Sequence, residues 1–166
     1  LRFVATGGYE ITTGAAFHGT MTSVASISFN VIVISPLTTL VEKNYIPSEN
    51  ISNLSNYINS ISETIANKVG LTPIDIFSDY ILDNNLDAAK IIACIMVSVK
   101  SVQSAASNID DVFPAIIDQI LSSSISTLVK VSDFDLLIRN TISAVSMNVH
   151  SINNILNRAN NIITVI

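Results

Sequence analysis

The last 29 residues of the sequence carry an apolar repeat that is typical of a long α-helix. From residue 138 onward, apolar side chains recur at alternating intervals of four and three, the spacing of a and d positions over about four heptads. These positions are Ile138, Ile142, Val145, Val149, Ile152, Leu156, Ala159, Ile163 and Ile166. Their flanks are Asn and Ser rather than the charged pairs of a coiled coil. We therefore expect either a helix of an intramolecular bundle or a helix that packs on another chain.

Helical patterns also dominate the sequence between Ser35 and this repeat. Ser35-Pro36 is a helix start signal, because Ser caps free N–H groups and Pro is tolerated in the first turn. Gly70 is placed to end a helix in the left-handed conformation. Helices are predicted over Pro36 to about Asn44, Asn53 to Val69, Leu86 to about Ala106, Phe113 to Leu128, and from Ser132 onward, with a short helical turn over Ile74 to Ile81.

The first 35 residues differ from the rest, since they hold four of the five glycines. Short β-prone runs between glycines predict three strands, Arg2 to Thr6, Ala16 to Ser23 and Ser28 to Ile34. Gly7-Gly8 and Thr13-Gly14 are turn signals. The fold class we expect is mostly α with a small N-terminal β part. The β segment would span residues 1–35, and a bundle of about five helices would span residues 36–166.

Composition excludes several classes of protein. Mean hydropathy is +0.53, yet the longest apolar run, Ile91 to Val99, contains Ser98 and is closed by Lys90 and Lys100. A spanning helix needs about 20 apolar residues, so no membrane insertion is expected. A net charge of −5 with scattered basic residues argues against nucleic acid. The surplus of Ile, Asn and Ser fits an AT-rich genome, or a weakly charged surface that neighbours cover, and both causes can hold.

The chain offers few residues for chemistry, and we expect neither an enzyme nor a cofactor. Cys94 lies within the apolar run and is predicted to be a buried, inert thiol. His18 and His150 have no metal ligands at suitable spacing. Acidic clusters lie at residues 83–87, Asp110-Asp111 and Asp133-Phe134-Asp135. Each precedes or opens a predicted helix, where carboxylates cap N–H groups, and the alternative is a weak surface calcium site.

Two stretches carry a more specific pattern. Residues 7–21 read GGYEITTGAAFHGTM and residues 31–41 read VIVISPLTTLV. This resembles a module of large bacterial surface and adhesin-like proteins, in which a Gly-Gly pair, a Thr-Gly and an aromatic-x-Gly precede a strand that runs into Ser/Thr-Pro-Leu-Thr-Thr-Leu. Glu10 stands where Asp is usual, and Asp79-Tyr80 stands where Asp-Pro is usual. The resemblance implies a spacer or adhesive unit of β-strands and helices in a long extracellular chain, without catalytic residues.

These features predict a non-enzymatic structural or adhesive module at the cell surface, acting through self-assembly or contacts with neighbouring domains. A chain that starts at Leu1 and ends in Ile162 to Ile166 is expected to be a fragment of a longer protein, with no signal peptide. Partners would be copies of itself or adjacent domains, through an interface that includes Val31, Val33, Ile152, Leu156 and Ile163. Alternatives are a structural protein of a virus or phage particle, a helical domain with an apolar ligand pocket, and a hydrolase built from Ser or Asp residues.

Overall fold

A computed structural model of the chain describes residues 1–9, 16–24, 32–45, 54–105, 112–122 and 131–144, together with residues 153, 154, 156, 157 and 161. In these ranges an antiparallel pair of strands precedes six helices. The elements are β1 (Arg2–Thr6), β2 (Thr20–Val24), α1 (Pro36–Asn44), α2 (Leu54–Val69), α3 (Pro73–Ile76), α4 (Leu86–Ala105), α5 (Phe113–Ser122) and α6 (Val131–Ala144). The predicted fold class, a small N-terminal β part followed by a helical bundle, is confirmed.

The helix boundaries follow the capping residues that the sequence contains. Ser35 is the N-cap of α1, and its Oγ accepts a hydrogen bond from Thr38 N at 3.2 Å. Asn85 caps α4 through a 3.0 Å bond from Ala88 N to its Oδ1. Gly70 follows α2 with a φ of +78°, the left-handed conformation in which glycine is least strained. Local side-chain chemistry therefore determines where these three elements begin or end.

The two strands form a hairpin whose arms continue past the regular ladder. Val4 lies opposite Thr22, and beyond the ladder Tyr9 forms an isolated bridge with Ala16. Gly7 and Gly8 have φ values of +68° and +115°. The chain does not reverse there, so these glycines accommodate a kink within one arm rather than the predicted turn. The second predicted turn signal, Thr13-Gly14, lies outside the described residues.

The third predicted strand is wrong over the part that can be described. Residues 32–34 belong to no strand, and residues 28–31 lie outside the described ranges. A third strand could pair at either edge of this two-stranded sheet, and the edge on β2 is already occupied. There the backbone of Thr22 is already bonded to the side chains of Thr38 and Thr39 at the start of α1. Residues 32–34 instead lead directly into the N-cap of that helix.

Hairpin and helices share one hydrophobic core. Helix α1 lies at its centre and packs against β2, α2, α4 and α5. Phe17, just before β2, contacts Phe113 of α5 edge to face, with ring centroids 5.3 Å apart. Leu37, Leu40 and Val41 of α1 are completely or almost completely buried. The N-terminal residues are thus fixed to the bundle by both an aromatic contact and a helix.

Several hydroxyl side chains lie in the core rather than on the surface. Ser62, Ser98 and Thr141 are buried, and each donates a hydrogen bond to the carbonyl four residues earlier in its own helix. This local bond satisfies the hydroxyl without a partner from another element. Part of the Ser and Thr content therefore lies in the core, so the surplus of Ser does not serve the surface alone.

Candidate interaction surface

The outer edge of β2 is covered by side chains of α1 that take the place of a neighbouring strand. Thr22 N donates to Thr39 Oγ1 at 2.9 Å, and Thr38 Oγ1 donates to Thr22 O at 2.9 Å. All three threonines are buried. A buried backbone amide and carbonyl need partners, and the two hydroxyls supply both. We call Thr22, Ser35, Thr38 and Thr39 the hydroxyl clamp.

The clamp leaves its own polar atoms satisfied. Thr38 Oγ1 accepts from Ser35 N at 2.8 Å, which completes a capping box. Thr39 Oγ1 lies 2.8 Å from Ser35 O and donates to it, as a helical threonine does toward the preceding turn. The hydroxyls of Thr38 and Thr39 thus each donate one bond and accept one. The Ser-Pro-Leu-Thr-Thr-Leu segment is therefore a joint between a strand and a helix, since both its threonines are used.

A charged pair closes the clamp at the surface. The Arg2 guanidinium forms a salt bridge through Nε with Oε1 of Glu42, on α1 one turn after the threonines. The other carboxylate oxygen of Glu42 accepts from Thr22 Oγ1 at 3.1 Å. One carboxylate therefore connects β1, β2 and α1. Because the arginine is exposed, the charge attraction adds little to the stability of the fold. The main role of Glu42 is to connect the three elements.

The outer edge of β1 has the opposite character. Since the backbone of Thr22 points away from β1, the facing residue Val4 points its own N–H and C=O away from β2. The alternation of an antiparallel ladder gives Arg2 and Thr6 the same outward orientation. Among the described residues, no backbone group hydrogen-bonds to this edge. In that part of the chain, the outer edge of β1 is an open row of donors and acceptors.

The open edge also lacks the usual protection against pairing. Natural edge strands carry lysine, inward charges or proline, or are covered by other elements. In β1 the one charged side chain is Arg2, and it is held by Glu42. Val4, at the centre of the strand, is half exposed. Strand addition to β1 therefore meets neither a steric nor an electrostatic obstacle from the strand itself.

Of the five residues predicted for an interface, the structure describes only Val33 and Leu156. Val33 lies in the segment that connects β2 to α1, and its side chain is half-buried. Val31 lies outside the described residues. Leu156 is helical and buried against the intramolecular core. Ile152 and Ile163 lie outside the described residues. At Leu156 the apolar repeat thus serves the core of this chain, as do Ile138 and Ile142 of α6.

Residues that could carry chemistry are dispersed or inert. Cys94 is a buried free thiol, and burial raises its pKa to about 11, which suppresses the reactive thiolate. His18 is exposed beside the hairpin. In the described part of the chain, no three His, Cys, Asp or Glu side chains lie close enough together to hold a metal ion. His150 and Asp110-Asp111 fall outside that part.

The acidic cluster at residues 83–87 lies at a helix start, as predicted, but the cap that the structure shows is an amide oxygen rather than a carboxylate. Its central residue Asn85 accepts the N–H of Ala88 at the start of α4. Asp133 lies in the first turn of α6, where a carboxylate complements the helix dipole. Within the described ranges, every helix falls short of the length and apolarity that a membrane-spanning segment needs.

Comparisons of the chain with protein-family models, with curated proteins and with solved structures gave no match. The open edge and the hydroxyl clamp were not among the residues predicted for an interface. A signal for the clamp was present, since two adjacent threonines follow a Ser-Pro helix start. Their target on β2 is seventeen residues earlier and could not be read from spacing.

Proposed function

We propose that this chain is a non-enzymatic structural module of a surface or filament-type protein, and that it assembles by strand addition at the outer edge of β1. The observation that carries the proposal is the asymmetry of the hairpin. One edge is closed by the hydroxyl clamp, and at the other edge no backbone hydrogen bond is found within the described residues. The similarity of residues 7–41 to modules of large bacterial surface proteins supports an extracellular setting.

The occupant that fits the edge best is a second copy of the same strand. An antiparallel pair centred on Val4 would place Arg2 of each copy opposite Thr6 of the other, so that no like charges face each other. The outward-facing residues would exchange about six backbone hydrogen bonds. The two hairpins would then form one four-stranded sheet, a mode of recognition in which main-chain bonds supply affinity.

Sedimentation of the wild type and of a Val4→Pro variant tests the proposal. Proline removes the outward N–H of Val4 and obstructs a neighbouring strand, while the bonds between β1 and β2 use other residues. We expect the wild type to associate reversibly with rising concentration and the variant to stay monomeric. The control is Leu136→Asn, a substitution at an exposed residue of α6 that should associate like the wild type.

Two results would contradict the proposal. One is a wild type that stays monomeric at every concentration up to about 1 mM. A Kd of about 1 mM corresponds to only about 4 kcal/mol of binding free energy. The other is association of Val4→Pro with the same concentration dependence as the wild type, which would locate the contact elsewhere. The circular dichroism spectrum and the urea transition of Val4→Pro must match those of the wild type. A loss of association is then due to the changed edge of β1 and not to unfolding.

A further inference from the structure

The turn between α3 and α4 exposes a cluster of large aliphatic side chains. Leu82 is 83% exposed, Ile74 79%, Leu86 65% and Ile81 53%. Single exposed apolar residues are ordinary on a protein surface, but four within thirteen residues form a patch that marks an interaction site. We call Ile74, Ile81, Leu82 and Leu86 the apolar corner. It lies on elements that the hairpin edge does not include.

Hydrogen bonds hold the backbone of the apolar corner in one conformation. Asp79 Oδ1 accepts from Ile81 N at 3.2 Å and from Leu82 N at 3.1 Å. Asn84 follows with a φ of +51°, and its N–H donates to Ile81 O at 3.3 Å. These bonds direct the apolar side chains outward at a tight turn. A surface that is ordered before binding loses little conformational entropy when a partner arrives.

A second set of bonds fixes the two sides of the corner to each other. Asn85 Nδ2 donates to Asp75 Oδ1 at 2.7 Å and to Ser78 Oγ at 3.2 Å. Ile74 precedes Asp75 and Leu86 follows Asn85, so the bond between their neighbours brings these two apolar residues to the same end of the molecule. The chain segments that carry the four exposed side chains are therefore held next to each other.

The border of the corner is acidic. Asp75, Asp79, Asp83 and Asp87 recur every four residues, and the first basic residue after them is Lys90. Burial tends to raise the pKa of Asp75, but bonds from Thr72 and Asn85 outweigh it and lower that pKa, so the carboxylate stays charged. Carboxylates around an apolar patch repel anionic lipid headgroups and nucleic acid and attract cationic side chains.

We infer that the apolar corner binds a protein surface whose apolar socket is bordered by Lys or Arg side chains. The corner's aliphatic side chains would enter the socket, and the surrounding carboxylates would face the basic border. This inference does not depend on strand addition at β1, because the two surfaces share no residue. It gives the module a second attachment point with a partner of opposite charge.

Titration with fluorescent amphipathic helical peptides tests the inference directly. The probes are a Leu–Lys peptide, and a Leu–Glu peptide with the same apolar pattern. We expect the wild type to bind the Leu–Lys peptide at low salt and not the Leu–Glu peptide. The double variant Leu82→Asn with Leu86→Asn should weaken binding by about tenfold or more. Leu136→Asn, an exposed leucine on α6, is the matched control and should bind like the wild type.

The results that would overturn the inference are distinct from those that bear on β1. Equal binding of the Leu–Lys peptide by the wild type and the double variant would mean that the net negative charge, and not the apolar corner, binds the peptide. If the wild type bound the Leu–Glu peptide as tightly as the Leu–Lys peptide, the partner would not need a basic border. Binding to phosphatidylglycerol vesicles that the double variant loses would identify a lipid surface instead. Val4→Pro should bind the peptide normally, and loss of self-association in the double variant would contradict two separate surfaces.

Discussion

Val4 and Thr22 face each other across one small sheet, and the outward backbone groups of the two residues differ in their hydrogen bonding. Both belong to edge strands, and both point their N–H and C=O groups away from the partner strand. At Thr22 the helix α1 supplies two hydroxyls that take the roles of a strand's amide and carbonyl. At Val4 the corresponding groups have no described partner. The difference teaches that side chains at a helix start can terminate a sheet on one side and leave addition to the other.

Removing the clamp hydroxyls should have the largest effect on this contrast. In Thr38→Val with Thr39→Val, the buried amide and carbonyl of Thr22 lose their partners while the side-chain volume is kept. We expect the free energy of unfolding to fall by about 2–4 kcal/mol, since each buried unsatisfied group costs about 1–3 kcal/mol. Urea denaturation measures this. Thr64→Val, at an exposed threonine of α2 that bonds Ser60 O, should cost under about 0.5 kcal/mol.

Proline substitution at adjacent positions of β1 distinguishes its two sides. In Ala5→Pro the lost N–H faces Met21 in the ladder, and we expect a loss of about 2 kcal/mol in the free energy of unfolding. In Val4→Pro the lost N–H faces outward, and the loss should stay below about 1 kcal/mol. Equal destabilisation by the two prolines, measured by thermal or urea unfolding, would mean that the orientation of β1 is misassigned.

The charged pair on the clamp should contribute less than the hydroxyls do. Glu42→Gln keeps an acceptor for Thr22 and removes the salt bridge to Arg2. We expect a loss of about 0.5–1 kcal/mol at low salt, because one partner is exposed. High salt should reduce the difference between wild type and variant. A salt-independent loss as large as that of the threonine pair would make Glu42, rather than the hydroxyls, the main element of the clamp.

Acid should loosen the apolar corner through Asp75, with the smallest effect. Its folded-state pKa is lowered from an ordinary value of 3.8, so its stabilising contribution is present above that value and is lost as pH falls through the folded pKa. Asp75→Asn should flatten this part of the pH dependence of unfolding below pH 3.8 and leave the clamp unaffected. An unchanged acid transition in Asp75→Asn would remove Asp75 as its source.

Local signals in the sequence predicted most of the architecture. The Ser35 cap, the left-handed Gly70 and the boundaries of α2 follow from short-range rules, and all are confirmed. The buried thiol of Cys94 follows from its place in an apolar run, and its raised pKa agrees. These properties depend on neighbours within one helical turn, which is the range over which residue patterns carry reliable information.

Properties that depend on distant pairing were beyond the sequence. The third strand was predicted from β-prone residues 28–34, but residues 32–34 lead into the N-cap of α1, and the β2 edge at Thr22 is held by hydroxyls sixteen and seventeen residues later. The exposure of Leu82 could not be inferred either, because no periodic apolar pattern covers the turn in which it lies. Its outward direction follows from the conformation of the turn, which the bonds of Asp79 and the left-handed backbone of Asn84 hold. Sequence periodicity does not report such a conformation.

Amide hydrogen exchange at Thr22 and Val4, measured at low and at high protein concentration, tests the asymmetry of the hairpin most directly. We predict that the Thr22 amide is protected at both concentrations, because Thr39 holds it within the chain. The Val4 amide should exchange rapidly in dilute protein and become protected as the protein associates. A Thr22 amide that exchanges as fast as Val4, or a Val4 amide that is protected equally at every concentration, would contradict the account.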